Sequence, residues 1–298
     1  MRSLSTCCAF LLWTLWLVVL PEGRAEGMSP AARDHPPSQG QSDSVKATPL
    51  VVGETFVLES RVLGEKRRIN IYLPSAVTAG KALGIPVLYM LDGGIDEDFL
   101  HVAGLVQVCV GNKTMKPHLL VGIENTERRR DLTGPTSVAE DKKIAPRVGG
   151  SAAFRTFLKS ELRPEISRRY GTTREAAIVG ESLAGLFVVE TFLLEPELFD
   201  TYFAFDASLW WNRESLLARA PELLKAKDRK GKALYLVSSS QPDLAKASQK
   251  LAGILSEAKT PGLRHEWVAM PSETHATIFH PAALRGFRAW LAPTQPPR

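Results

Sequence analysis

The sequence predicts an α/β fold: a mostly parallel central sheet with an N-terminal antiparallel hairpin and helices on both faces. Three observations carry this. Pro86–Leu91 and His118–Ile123 are short continuous apolar runs, the signature of buried strands. Glu54–Leu63 and Lys66–Leu73 alternate apolar and polar residues around Gly64, as an antiparallel hairpin does. From Ser151 onward, segments of helical spacing alternate with further apolar runs, and strands alternating with helices imply a parallel sheet covered on both sides.

In chain order, Met1–Arg2 is a short positive start, and Cys7–Leu20 is apolar except for Thr14. Gly23-Arg24-Ala25 follows, so residues 1–25 read as a secretory signal peptide cut after Ala25. Such an apolar run is shorter than the ~20 residues that cross a bilayer as a helix. Residues 26–48 hold Pro30, Pro36, Pro37, Ser38, Gly40 and Ser42 among few large apolar residues, which predicts a disordered tether. The catalytic domain is expected over 49–298. After the hairpin come the strands Pro86–Leu91 and His118–Ile123, then a helix over Ser151–Tyr170 with Phe154, Phe157, Leu158, Leu162 and Ile166 on one face. Ala176–Val179 is a strand and Leu183–Leu194 a helix. Tyr202–Phe205, Ala233–Val237 and Glu266–Met270 are the later strands, with helices near 214–225, 243–258 and 282–291.

A chain of 298 residues, 44% hydrophobic and 23% charged, is an ordinary globular composition, not a collagen, a coiled coil or a wholly disordered chain. Its net charge of +5 is not gathered into one basic block, so no nucleic-acid partner is expected. Cleavage after Ala25 would remove Cys7 and Cys8, leaving Cys109 in the apolar run Leu105–Val110 as a buried hydrophobe. An exported chain with one thiol has no internal disulfide. No later stretch is long and apolar enough to cross a membrane, so the mature chain is expected to be free of one. Metal-ligand and nucleotide-binding motifs are missing, so no cofactor and no metal are expected.

In a parallel sheet the site lies at the carboxyl ends of the strands. There, Gly180-Glu181-Ser182-Leu183-Ala184-Gly185 joins a strand to a helix, the setting of a nucleophilic serine on a sharp turn. Serine needs a base to take its proton. His275 lies just past the last strand; His280 is the competitor but begins a helix at Pro281. The acid is expected after the second strand beyond the serine, where Asp243 is the one carboxylate of the loop Ser238–Asp243. Glu273 is a second candidate, Asp206 ends a strand one too early, and a dyad without a fixed acid is the remaining alternative. Oxyanion donors are expected at the backbone N–H groups of Leu183 and Gly94. Arg130 is a candidate to hold an anionic substrate group, and Trp210 and Trp211 to wall the pocket.

The chain resembles the esterase D and enterochelin-esterase-like branch of the α/β-hydrolase superfamily. The resemblance runs from about Glu54 to Leu291. It rests on Val87–Gly93, on Val121–Thr126 with Arg128 and Arg130–Thr133, on Phe154–Pro164, on the serine turn, on Ser208-Leu209-Trp210-Trp211 and on Glu273-Thr274-His275. It implies a serine hydrolase of carboxylic esters, with Ser182 as nucleophile and His275 as base. Some relatives cleave siderophore esters, others acylated sugars or short thioesters. Ala184 departs from the usual glycine, Asp206-Ala207 from a Ser-Pro, and the loop after Val237 from a Gly-Glu pattern. The expectation is an exported, periplasmic or secreted serine esterase acting on a small-molecule ester through an acyl-enzyme intermediate. The alternatives are a non-catalytic binding protein of the same fold, or an acyltransferase using the same serine.

Overall fold

A computed structural model of the chain describes residues 47–75, 77, 84–144 and 147–293, so the expected signal peptide and almost all of the tether lie outside the described residues. Leu50–Arg298 form one compact unit. The hairpin is β1 (Glu54–Ser60) and β2 (Glu65–Tyr72). Then follow β3 (Val87–Met90), α1 (Phe99–Gly111), β4 (Leu119–Ile123), and the short helices α2 (Arg128–Asp131) and α3 (Ala139–Ile144). A helix pair, α4 (Ser151–Phe157) and α5 (Arg163–Tyr170), is joined by a π-helical turn. The second half is β5 (Ala176–Glu181), α6 (Leu183–Leu194), β6 (Thr201–Phe205), α7 (Trp211–Ala226), β7 (Ala233–Ser238), α8 (Pro242–Ala258), β8 (Arg264–Ala269) and α9 (Phe279–Trp290).

The eight strands lie in the order β1-β2-β4-β3-β5-β6-β7-β8. β1 and β2 are antiparallel, and β2 meets β4 antiparallel; β4, β3 and β5 to β8 are parallel. The middle strands are buried on both faces, which is why β3 and β4 read as unbroken apolar runs rather than alternating ones. Val87 and Tyr89 face a layer containing Ile166 of α5, Phe187 of α6 and Leu251 of α8. Leu88 and Met90 face Val102 and Val106 of α1 and Phe287 of α9.

The sequence pattern misses α1. Its apolar residues run around most of the helix, so they leave no stripe to read; Cys109 sits within it, fully buried. α7 begins with a turn in which Asn212, Arg213 and Glu214 are all left-handed, pinned by the Asn212 N–H bond to Asp141. No helix among the described residues is long and apolar enough to cross a membrane.

Because β3 to β8 run one way, their carboxyl ends share one edge. That edge carries Asp92, Asn125, Ser182, Asp206 and, past β8, His275.

Candidate active site

Ser182 joins β5 to α6 with φ 59° and ψ −120°, a conformation that L residues avoid and that is held only where the surroundings enforce it. Its N–H donates to the Phe205 carbonyl at 3.0 Å, and its carbonyl accepts the N–H groups of Leu186 at 2.9 Å and Ser208 at 3.0 Å. A side chain on Gly180 would strike Ala184 at 2.7 Å, so only glycine fits ahead of the turn. A side chain on Gly185 would meet the Phe205 carbonyl at 2.8 Å. The departure at Ala184 is thereby explained: its methyl fills the space over Gly180, and the close approach to the end of β6 is made one residue later.

His275 lies in the loop between β8 and α9, and its Nδ1 is 3.0 Å from Oδ2 of Asp206. Asp206 follows β6, is fully buried and is itself left-handed at φ 40°. Its N–H donates to the Val237 carbonyl at 2.8 Å, and its Oδ1 accepts the Ser239 N–H at 2.6 Å. Burial would raise the Asp206 carboxyl, but the bonds from His275 and Ser239 win and hold it below the usual aspartate value. The same bond holds His275 above the usual histidine value against its partial burial, aided by the charge of Glu181. With Nδ1 committed to Asp206, Nε2 is the ring nitrogen not engaged by that carboxylate.

Ser182 and His275 line one cavity of about 430 Å³. Its other walls are Asp92, Glu97 and Asp98 of the segment after β3, Asn125, Arg128 and Glu181. Arg128 binds Asp92 through two bonds of 2.6 and 2.8 Å. Asn125 bridges Asp92 at 2.6 Å and Glu97 at 2.7 Å. Leu183 is the first residue of α6, so its N–H has no acceptor within the helix. The Gly94 N–H donates to Glu97 Oε2 at 2.7 Å, so that donor is taken in this state.

Several expected residues lie elsewhere. Asp243 is exposed in the first turn of α8, while the His275 ring is turned to Asp206, so the acid beside the imidazole is Asp206 and not Asp243. Glu273 accepts the Thr277 hydroxyl at 2.7 Å and braces its own loop. His280 pairs with His101, ring nitrogens 2.9 Å apart. Arg130 does not line the cavity: it grips Glu65 with bonds of 3.0 and 2.7 Å and Asp131 at 2.7 Å. Trp211 is buried, its Nε1 donating to the Gly134 carbonyl at 2.9 Å, and Trp210 leans on it at 6.0 Å; neither lines the cavity. Sequence reasoning gave no role to Glu181, Asp92 or Glu97. A carboxylate between a buried strand and a buried helix was the available signal for Glu181.

Among the described residues, one His-and-carboxylate grouping is compact enough to hold a metal ion: Glu181, Asp206 and His275, with donor atoms within 4.8 Å of one another. The two nearest of these donors already share a hydrogen bond.

The family described as "Putative esterase" matches residues 60–292. The chain is 28% identical over 267 residues to the ferri-bacillibactin esterase BesA of Bacillus subtilis, covering 82% of this chain and 91% of that one. Among solved structures, it is similar to an IroE-like serine hydrolase from Shewanella oneidensis, with a TM-score of 0.73, 28% identity and 80% of each chain covered. The BES protein of Bacillus cereus shares the fold, with a TM-score of 0.71 at 23% identity, covering 82% of this chain and 97% of that one.

Proposed function

Since the chain belongs to this esterase family and is a carboxylic ester hydrolase, we propose that it cleaves its substrate through an acyl-enzyme on Ser182, with His275 as base and Asp206 as acid. The observation that carries this reading is the strained Ser182 in one cavity with an imidazole whose far nitrogen is bonded to a buried carboxylate.

Nε2 of His275 takes the hydroxyl proton as Ser182 Oγ bonds to the ester carbonyl carbon. The imidazolium that forms is stabilised by Asp206 across the 3.0 Å contact. The negative oxygen of the tetrahedral intermediate lies toward the start of α6, where the Leu183 N–H and the helix dipole favour it. Gly94 supplies a second donor, typically worth ~3 kcal/mol, once Glu97 releases its N–H. As the carbon–alkoxide bond breaks, His275 returns the proton to the leaving alcohol. Water then attacks the acyl group with the same base and regenerates the serine.

The name of the Bacillus subtilis relative supports a siderophore-type ester as the substrate. The pattern of residues 1–25 supports export, to the periplasm or beyond the cell. The test is a panel of siderophore lactones, acylated sugars and simple acyl esters given to the wild type and to Ser182→Ala. The variant is expected to lose on the order of 10⁴-fold or more in kcat on whichever ester the wild type cleaves. A variant retaining wild-type turnover would refute the serine mechanism. Acyl transfer to an added alcohol outrunning hydrolysis would identify a transferase instead.

A further inference from the structure

Glu181 is the residue immediately before the nucleophile, and the mechanism above leaves it unused. Its side chain is 17% exposed, and its Oε1 is buried without a hydrogen-bond partner. That oxygen stands 3.9 Å from Nδ1 of His275, the nitrogen that Asp206 holds at 3.0 Å. One N–H therefore faces two carboxyl groups from neighbouring strand ends, one bonded and one waiting. A buried polar atom with no partner costs free energy, so its retention against a catalytic ring calls for a use.

We propose that Glu181 is a positioning residue for the ester cleavage: its carboxyl is a second acidic partner of His275, and it sets the pH range in which the imidazole serves as base. This rests on the serine mechanism proposed above. The groups facing Glu181 fix the direction of its effect. Asp92 and Asp98 approach from the segment after β3, Asp206 from β6, His275 from β8, and Arg128 from α2, its Nη2 lying 3.4 Å from the Glu181 carbonyl. Burial first, then the three aspartates, push the Glu181 carboxyl up to about 7, with His275 opposing. Facing each other at 3.9 Å, the two side chains compete for a proton, as interacting sites do. With the proton on Glu181, His275 is a free base and can accept from Ser182. With it on His275, the ring is an imidazolium and cannot start the reaction.

Glu181→Gln removes the negative charge while keeping the shape. His275 then loses its proton more readily, so the acid limb of the kcat/KM profile moves to lower pH, by about one unit. On the alkaline plateau the forming imidazolium has one carboxylate instead of two, and kcat falls about tenfold while KM changes little. Glu181→Asp keeps a carboxyl, and its limb is expected nearer to wild type than to the glutamine variant. A glutamine profile that superposes on wild type, or an aspartate variant shifted as far as the glutamine one, overturns the proposal. Should Glu181→Gln lower expression, NMR titration of the His275 ring in the Ser182→Ala background, with and without the Glu181 change, reads the same shift without turnover. An unmoved titration there also overturns it. Loss of activity in Ser182→Ala together with a negative Glu181 result would leave the serine mechanism standing and remove only this role.

Discussion

Glu65 and Glu181 begin from the same carboxyl group and are driven in opposite directions. Glu65, in β2, takes bonds from Arg130, Thr126 and Arg67, and the Arg130 bond foremost holds it down at about 2. Glu181 finds no donor for its buried oxygen and rises to about 7. The neighbourhoods differ in their bookkeeping of charge. Around Glu65, the two guanidinium groups of Arg67 and Arg130 answer the two carboxylates of Glu65 and Asp131. Around Glu181, the guanidinium of Arg128 is already spent on Asp92, and Asp98 and Asp206 stand close by. The balanced cluster holds β2 against α2 and keeps Glu65 ionised well below neutral pH. The unbalanced one raises the carboxyl of Glu181 toward neutral pH beside Ser182.

The comparison can be broken at its catalytic end first. Asp206→Asn should cost about 10⁴-fold in kcat, because the amide no longer fixes the imidazole tautomer or stabilises its charge. Asp243→Asn should stay within twofold of wild type on the same ester. A large loss at Asp243 with none at Asp206 would reverse the assignment of the acid.

At the balanced end the loss should appear in stability. Asp131 and Arg67 are both buried and joined at 2.5 Å. Asp131→Asn strips a buried guanidinium of a charged partner and should lower unfolding free energy by about 4 kcal/mol. Denaturant titration measures it, and kcat per folded molecule should be nearly unchanged. A kcat loss rivalling that of Asp206→Asn would show the two clusters to be one machine.

The gentlest expected effect uses a buried group outside both clusters. His118, just before β4, is buried, and its Nδ1 is 2.8 Å from the Lys116 carbonyl. Burial lowers it to about 4 from an ordinary 6.5. The unfolded chain therefore binds this proton more readily between those values. The neutral ring's contribution is full above about pH 6.5 and is lost as pH falls toward 4, about 3 kcal/mol in all. Chemical denaturation of wild type and His118→Gln across that window should show a shallower slope for the variant.

The layering and the strained serine turn were legible because they depend on local pattern. A buried strand, Gly180, Ser182 and a buried helix are contiguous, and His275 falls in the one loop past the last strand. The carboxylate that bonds His275 was not, because strand counting points to the loop after β7 while the choice is made in three dimensions, at the end of β6. The loop after β7 contributes the Ser239 N–H to the Asp206 carboxylate rather than a carboxylate of its own. The expectation for Arg130 went astray for a helical reason. Residues two apart on a helix do not share a face, so Arg128 reaches the cavity while Arg130 turns to Glu65. The expected tryptophan wall failed on burial, since Trp211 finds its N–H partner in the Gly134 carbonyl.

The most direct measurement is to treat the purified protein with a fluorophosphonate and map the adduct by peptide mass. The account predicts one covalent adduct, on Ser182, formed far more slowly when Asp206 is Asn. An unlabelled protein that binds its ester intact, or an adduct on another residue, would contradict it.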